Sequence, residues 1–188
     1  MLTHDTESAG GGGMGSEQQA PQEGDPRRSS AAARIEPPET CFQRAQRYEQ
    51  GAGPAQDLIR AAFWYHRAAV QGHPEAANAL GYLYATGQGV RRDEAVAATW
   101  FRHAARHGHP DAQANLALLY GEGRGVPRDL GEAVKWLVLA ARQGSPEAQA
   151  FLARAYTEGL YGLEPDPWQA TYWRHNAVFS RARRRARG

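Results

Sequence analysis

The chain repeats itself every 36 residues, and this periodicity constrains its fold more than any other feature. Two columns of aromatic residues keep this spacing. The first column is Tyr48, Tyr84, Tyr120 and Tyr156. The second is Trp64, Trp100, Trp136 and Trp173, the last of which is displaced by a one-residue insertion in the fourth copy. Several columns that agree at one period are typical of tandem repeats, in which each unit packs against its neighbours. The sequence therefore predicts four stacked copies of one structural unit.

Columns of glycine, aspartate and proline divide each copy into two helices. In the second copy, Gly87 and Gly89 are suited to positive φ angles and should end the first helix. Asp93 is placed to cap the second helix, which we expect to stop at Gly108. Pro110 then fits the first position of the next helix, and the residue before it is a candidate cap.

Apolar residues at helical spacing predict which side of each helix is buried. Leu80 and Tyr84 lie on the buried stripe of a first helix, and Ala97 and Trp100 lie on that of a second helix. We interpret the tryptophan column as core rather than as a ligand cage, because a tryptophan buries on the order of 200 Å². We also expect the tyrosine hydroxyls to reach turn carbonyls.

The motif from Ala76 to Gly108 closely resembles the Sel-one-like repeat family, a branch of the tetratricopeptide-like solenoids. The resemblance implies an all-α fold, a right-handed α-solenoid of four 36-residue helix-turn-helix repeats with the first helices lining a concave face. Two places depart from the pattern. Arg44 stands where other copies have leucine, and the fourth copy has a longer turn between Gly159 and Pro165.

The remaining sequence suggests two flanking tails. Residues 1–38 contain the run Gly10–Gly13 and few large apolar side chains, so we expect a disordered N-terminal tail. We place the repeats at 39–179, in copies of about 40–75, 76–111, 112–147 and 148–179, and a basic C-terminal tail at 180–188. No signal-peptide core or membrane-length apolar run is seen, which favours a cytoplasmic protein.

No set of residues points to catalysis, a cofactor or a metal. Cys41 is the only cysteine, so it has no cysteine partner for a metal cluster. His103 and His107 are four apart on one helix and would share an ion only with further ligands, so we favour solvated or capping histidines. The glycine pairs lack the lysine of a phosphate loop. We therefore predict that the protein is not an enzyme and takes no small-molecule substrate.

Members of the resembled family act as adaptors and scaffolds, which implies that a partner protein or peptide binds along the concave face. The outward positions of the first helices are the candidate contacts: Gln46, Glu49, Asn78, Tyr82, Thr86, Leu118, Glu122, Arg154 and Thr157. An alternative is the binding of nucleic acid or an acidic membrane surface by the C-terminal arginines, since arginine clusters bind phosphates. These are Arg181, Arg183, Arg184, Arg185 and Arg187.

Overall fold

A computed structural model describes residues 36–51 and 55–186. Within these ranges the secondary structure consists of eight α-helices and one short 3-10 helix: α1 Pro38–Gln50, α2 Leu58–Ala69, α3 Pro74–Thr86, α4 Glu94–Arg106, α5 Pro110–Glu122, α6 Leu130–Arg142, α7 Pro146–Glu158, η1 Leu160–Gly162 and α8 Pro167–Arg185. The predicted N-terminal tail up to residue 35 and Arg187 lie outside the described residues.

The helices form four consecutive pairs, which confirms the all-α repeat architecture. The first helices are α1, α3, α5 and α7, and each packs most closely against the second helix that follows it, α2, α4, α6 or α8. Each second helix except α8 also packs against the next first helix, so the pairs stack in chain order. None of the described helices combines the length and the apolar character needed to span a bilayer.

Capping side chains set the start of nearly every helix, as the repeat columns predicted. Asp93 accepts hydrogen bonds from the backbone N–H groups of Ala95 and Val96, and the same aspartate column caps α2, α6 and α8. The residue before the proline caps α3, α5 and α7, through Nδ1 of His73 and His109 and the hydroxyl of Ser145. The histidines of this column are therefore helix caps.

The tyrosine column contacts the turn through its backbone, where we had expected its hydroxyl to do so. In each copy the N–H of the capping aspartate donates to the tyrosine carbonyl, for example Asp129 N to Tyr120 O at 2.9 Å. The hydroxyl of Tyr120 instead accepts a hydrogen bond from the Arg102 guanidinium at 3.2 Å. This backbone bond fixes the angle between the two helices of a copy.

In copies two and three, the second glycine of the turn allows consecutive copies to approach closely. Gly89 has a φ of +70°, and a Cβ added there would lie 2.4 Å from the Leu58 carbonyl at the start of α2. Gly125 has a φ of +67°, and its Cβ would lie 2.2 Å from the Glu94 carbonyl at the start of α4. Glycine is required here both for its backbone conformation and for its lack of a side chain.

In the first three copies, the most deeply buried large side chain of the second helix is the one after the tryptophan. Tyr65, Phe101 and Leu137 are almost fully buried, whereas Trp64, Trp100 and Trp136 are partly buried and pack against the edge of the core. Trp173 in the fourth copy is buried. The prediction that the tryptophans belong to the core is thus only partly right, because in the first three copies the next residue of the second helix is the more deeply buried one. The Phe101 ring, for example, lies directly over Gly81 of α3.

The last second helix is longer than the others. Gly72, Gly108 and Gly144 have φ values of +87° to +90° in the turns that follow α2, α4 and α6. The fourth copy has Arg181 in this column, and α8 continues to Arg185. The basic segment that we expected as a tail from residue 180 is therefore helical over most of its length.

Candidate protein-interaction surface

The first-helix face is the surface formed by the outward side chains of α1, α3, α5 and α7. At its centre Asn115 donates a hydrogen bond from Nδ2 to Oδ1 of Asn78, at 3.4 Å, and so links α5 to α3. Tyr82 and Leu118 lie one turn further along the same two helices and are 51% and 38% exposed. The structure therefore places three predicted contact residues, Asn78, Tyr82 and Leu118, around one inter-helix contact.

Polar side chains border this centre at the C-terminal ends of the helices. The hydroxyl of Thr86 donates to the Tyr82 carbonyl at 2.9 Å, and the carboxylate of Glu122 accepts from Arg124 at 2.9 Å. Gln46, in the same column as Tyr82 and Leu118, is half-buried on α1. The predicted residues of copies one to three thus form an apolar centre with a polar border, except for Glu49.

Glu49 is turned toward α2 and away from this surface. Its carboxylate accepts a hydrogen bond from the hydroxyl of Tyr65, which is buried. Burial and this carboxylate raise the pKa of the Tyr65 hydroxyl far above its usual range. Glu49 therefore satisfies a buried hydroxyl, a role that its sequence position alone did not indicate.

The predicted residues of the fourth copy lie at the edge of the first-helix face. Arg154 shares the column of Tyr82 and Leu118, and its guanidinium lies 5.2 Å from the centre of the Phe151 ring. Thr157 donates its hydroxyl to the Ala153 carbonyl at 2.8 Å. Both side chains also line a groove between α7 and α8. They are thus shared between two surfaces.

Two aromatic residues were not predicted, Phe151 on α7 and Tyr161 in the neighbouring η1. Their ring centres are 5.1 Å apart. The Tyr161 ring fills the space above Gly121, where an added Cβ would lie 2.2 Å from the tyrosine hydroxyl. Tyr161 is the only non-glycine residue in the described ranges with a positive φ, 57°. Two features of the sequence indicate this arrangement. The inserted residue falls in this turn, and Gly121 is a glycine inside a helix.

The C-terminal arginines divide into two kinds. Arg184 faces two carboxylates, with 3.4 Å to Glu147 and 3.7 Å to Asp111. Arg181 lines the groove between α7 and α8, and Arg183 and Arg185 are exposed on the last turns of α8. Arg184 therefore interacts within the protein, and the four predicted anion-binding residues that the structure describes differ in their surroundings.

The side chains of His103, His107 and Cys41 contact other groups of the protein. The rings of His103 and His107 are 4.8 Å apart, and His107 Nδ1 lies 2.8 Å from the His103 carbonyl. Burial lowers the pKa of His103, and the neighbouring His107 adds to this effect. Cys41 is buried beside the Glu36 carbonyl. Within the described part of the chain, no three His, Cys, Asp or Glu residues come together as a metal site would require.

Comparison with known proteins identifies the repeat. The family model of the Sel1 repeat matches residues 38–73, 74–109, 110–145 and 146–173. Among curated proteins, none matches the chain. The four matched segments begin at the start of the first helices, so the family's repeat unit and the helix pairs of the structure coincide.

Solved structures with this architecture include longer repeat proteins. The SLR-fold protective antigen c5321 of uropathogenic Escherichia coli is 40% identical, with a TM-score of 0.71, over 75% of this chain and 30% of its own length. A Sel1 repeat protein from Oxalobacter formigenes is 34% identical, with a TM-score of 0.72, over 76% of this chain and 58% of its own. The cysteine-rich protein B of Helicobacter pylori, 22% identical with a TM-score of 0.51, shares the fold. The chain belongs to the Sel1 repeat family.

Proposed function

We propose that the protein is an interaction scaffold that holds a partner protein or peptide on its first-helix face, which the family resemblance predicts to be concave. The observation that carries the proposal is the exposure of Tyr82 and Leu118, which share one column and lie one turn beyond the Asn78–Asn115 hydrogen bond. Other large apolar side chains of α3 and α5, such as Leu80 and Leu116, are buried. Tyr82 and Leu118 thus differ from them in leaving much of their apolar surface open to solvent.

The chemistry of this centre suits protein recognition. A few large side chains near the middle of an interface supply most of the binding energy, and tyrosine is enriched among them. Polar groups around such a centre give direction through hydrogen bonds. Asn78 and Asn115 each keep hydrogen-bonding capacity beyond the single bond that they share, since an amide carries two donors and an acceptor oxygen. A partner segment lying across α3 and α5 would contact the large side chains of Tyr82 and Leu118 and could form hydrogen bonds with Asn78 and Asn115.

The proposal is tested by comparing two double variants that remove similar amounts of exposed apolar surface. Tyr82→Ala/Leu118→Ala alters the first-helix face, and Phe63→Ala/Leu139→Ala alters exposed positions of the second helices. Partners are captured from lysate on immobilised protein, identified, and then measured by calorimetry with purified components. We expect the first variant to weaken a captured partner by about 2 kcal/mol or more, as hot-spot truncations do. The control variant should bind as wild type does.

Two results would count against the scaffold proposal. One is that the partner binds the first-helix variant as tightly as wild type. The other is that the control variant loses the partner instead, which would move the interface to the second helices. Circular dichroism of each variant checks that the helices are intact, so a loss of binding is not confused with unfolding.

The alternative, anion binding by the C-terminal arginines, rests on Arg181, Arg183 and Arg185, which are exposed on α8. It is the weaker candidate, because Arg184 in the same segment is already paired with carboxylates. Because residues up to 185 are helical, Arg183→Gln/Arg185→Gln is a milder test than truncation. If this function were the main one, binding to a captured ligand would fall steeply with salt and with this variant.

A further inference from the structure

A groove between α7 and α8 has a floor of small apolar side chains and a rim of arginines. The α7–α8 groove encloses about 290 Å³ and is floored by Ala150, Ala153, Ala177 and Val178. Three guanidinium groups border it, those of Arg154, Arg174 and Arg181, together with one carboxylate, Glu158. It is therefore apolar at its base and positively charged at its edges.

The inner copies show which structural element packs on the surface equivalent to the α7–α8 groove. Val178 occupies the column of Ala69, Ala105 and Ala141, which are 0%, 2% and 1% exposed, yet Val178 is 64% exposed. In the inner copies these columns are covered because the next first helix packs on the preceding helix pair. The α7–α8 groove is thus the equivalent of a surface that binds an α-helix three times within this chain.

Within residues 36–51 and 55–186, the groove is not covered in the manner of the inner copies. There, a glycine with positive φ lets the chain turn back into the next first helix, but this column holds Arg181 and α8 continues to Arg185. In the described residues no helix packs on this side of α7 and α8. Arg174 also replaces the buried column of Tyr65, Phe101 and Leu137. The α7–α8 groove therefore resembles in shape the inner surfaces on which a helix packs, but it carries arginine where they carry apolar or uncharged residues.

The dimensions also match a helix of the length that the inner copies hold. At 1.5 Å per residue, thirteen residues of helix are about 20 Å long, and the stretch of α8 from Pro167 to Arg181 is about 22 Å long. A second hollow of about 200 Å³ continues the groove past Arg174 and Thr157 toward Tyr156 and Thr171. One straight helix would thus lie along both.

We propose that the α7–α8 groove binds an amphipathic helix of a partner protein, with small apolar residues on its buried side and carboxylates beside the arginines. The charge of the rim selects an acidic helix, because an uncompensated guanidinium next to a basic partner is repelled. A second copy of this chain is a poor occupant. Its uncovered first helix, α1, carries Arg44 and Arg47 where α3 has Leu80 and Leu83.

The test uses a peptide taken from the chain itself. The α5 sequence, residues 110–122, is a helix that packs on the equivalent inner surface, and its only charged residues are Asp111 and Glu122. Its amidated peptide is titrated into the full chain labelled with ¹⁵N, and amide shifts are followed by NMR. We expect saturable shifts confined to α7 and α8. A peptide with both acidic residues changed to lysine should bind about tenfold more weakly, because it meets like charges.

Variants of the groove separate this site from the first-helix face. Arg174→Glu and Val178→Asp, both at exposed positions, should each weaken the peptide about tenfold. Arg142→Glu, an exposed arginine at the end of α6, is the matched charge control and should leave the binding unchanged. Tyr82→Ala/Leu118→Ala should also leave it unchanged, so this inference and the proposed scaffold function can fail separately.

Four outcomes would overturn the proposal. They are the absence of saturable shifts, shifts centred on α3 and α5, equal binding of the charge-reversed peptide, and equal binding by Arg174→Glu. Sedimentation velocity of the chain alone adds a fifth. A dimer that Arg174→Glu dissociates would make a second copy the occupant and not an acidic helix of a partner protein.

Discussion

Copies two and three differ from copy four in what covers the same sequence columns. In the inner copies, Phe101 and Leu137 are buried, whereas Arg174 in the fourth copy is exposed. Gly125 is pressed against the preceding copy, but an added Cβ at Gly162 would meet nothing within 4 Å. The comparison teaches that a column's role in a solenoid depends on its neighbour as much as on its own copy.

The two regions also use their exposed surface differently. The first-helix face of the inner copies has an apolar centre, Tyr82 and Leu118, with polar surroundings. The fourth copy has arginines in the corresponding and adjacent columns, Arg154, Arg174 and Arg181, around a floor of alanine and valine. One repeat sequence therefore provides two chemically distinct surfaces, and we have proposed a separate role for each.

The largest expected contrast comes from the column of Phe101, which is buried in the first three copies and exposed in the fourth. Phe101→Ala should lower the free energy of unfolding by about 3–5 kcal/mol, because it leaves a cavity where the ring lies over Gly81 of α3. Arg174→Ala, at the same column of the last copy, should change it by about 0.5 kcal/mol or less. Urea denaturation measures both. Similar losses from the two variants would mean that the end of the repeat array is covered in solution.

The next contrast concerns the turn glycines, which share a positive φ but differ in surroundings. Gly125→Ala should cost about 2–4 kcal/mol, since it adds a clash with the Glu94 carbonyl to the backbone strain. Gly162→Ala has the strain alone and should cost about 1 kcal/mol. Thermal or urea unfolding of the pair is the measurement. The contact between copies two and three would be looser than described if the two losses were equal.

The smallest contrast is an ion-pair cluster that links copies two and three. Glu94 accepts hydrogen bonds from Arg124, at 2.7 Å and 3.1 Å, and from Arg92, and these bonds lower the pKa of its carboxyl to about 2. In the next copy, the columns of Glu94 and Arg124 hold Leu130 and Leu160, so the cluster has no counterpart between copies three and four.

This lowered pKa predicts a loss of stability in acid. A carboxyl with a folded pKa below its unfolded value of about 4.3 stabilises the protein above that value and loses the effect as the pH falls toward 2. Melting temperatures between about pH 5 and pH 3 should therefore fall less steeply for Glu94→Gln than for wild type. Glu132→Gln, which removes an ion pair within α6, should keep the wild-type slope. Parallel slopes for all three proteins would exclude the cluster as a link between copies.

Much of the fold was predictable because the repeat specifies it locally. The aspartate caps, the cap before each proline and the positive-φ glycines follow from the chemistry of single residues at helix ends. It was harder to predict which residue of the second helix is most deeply buried. Trp100 and Phe101 are adjacent, and the rotation of the helix about its axis decides which of them is buried. Sequence periodicity alone does not give that angle to within one residue.

The site was predictable only where the repeat is regular. Tyr82 and Leu118 occupy the expected column and are exposed. Phe151 and Tyr161 were missed because the inserted residue changes the turn, and Glu49 was assigned to the surface because its bond to Tyr65 spans two helices. The extension of α8 also escaped prediction, since the repeat pattern implies a turn where Arg181 continues the helix.

The most direct test of the proposed scaffold function is site-specific photo-crosslinking of the full chain in lysate. The photoreactive residue is placed in turn at position 82 or 118 on the first-helix face, and at position 63 or 139 on the second helices. Our account predicts that positions 82 and 118 crosslink to the same partner protein and that positions 63 and 139 do not. A partner captured from positions 63 or 139, with none from 82 and 118, would contradict it.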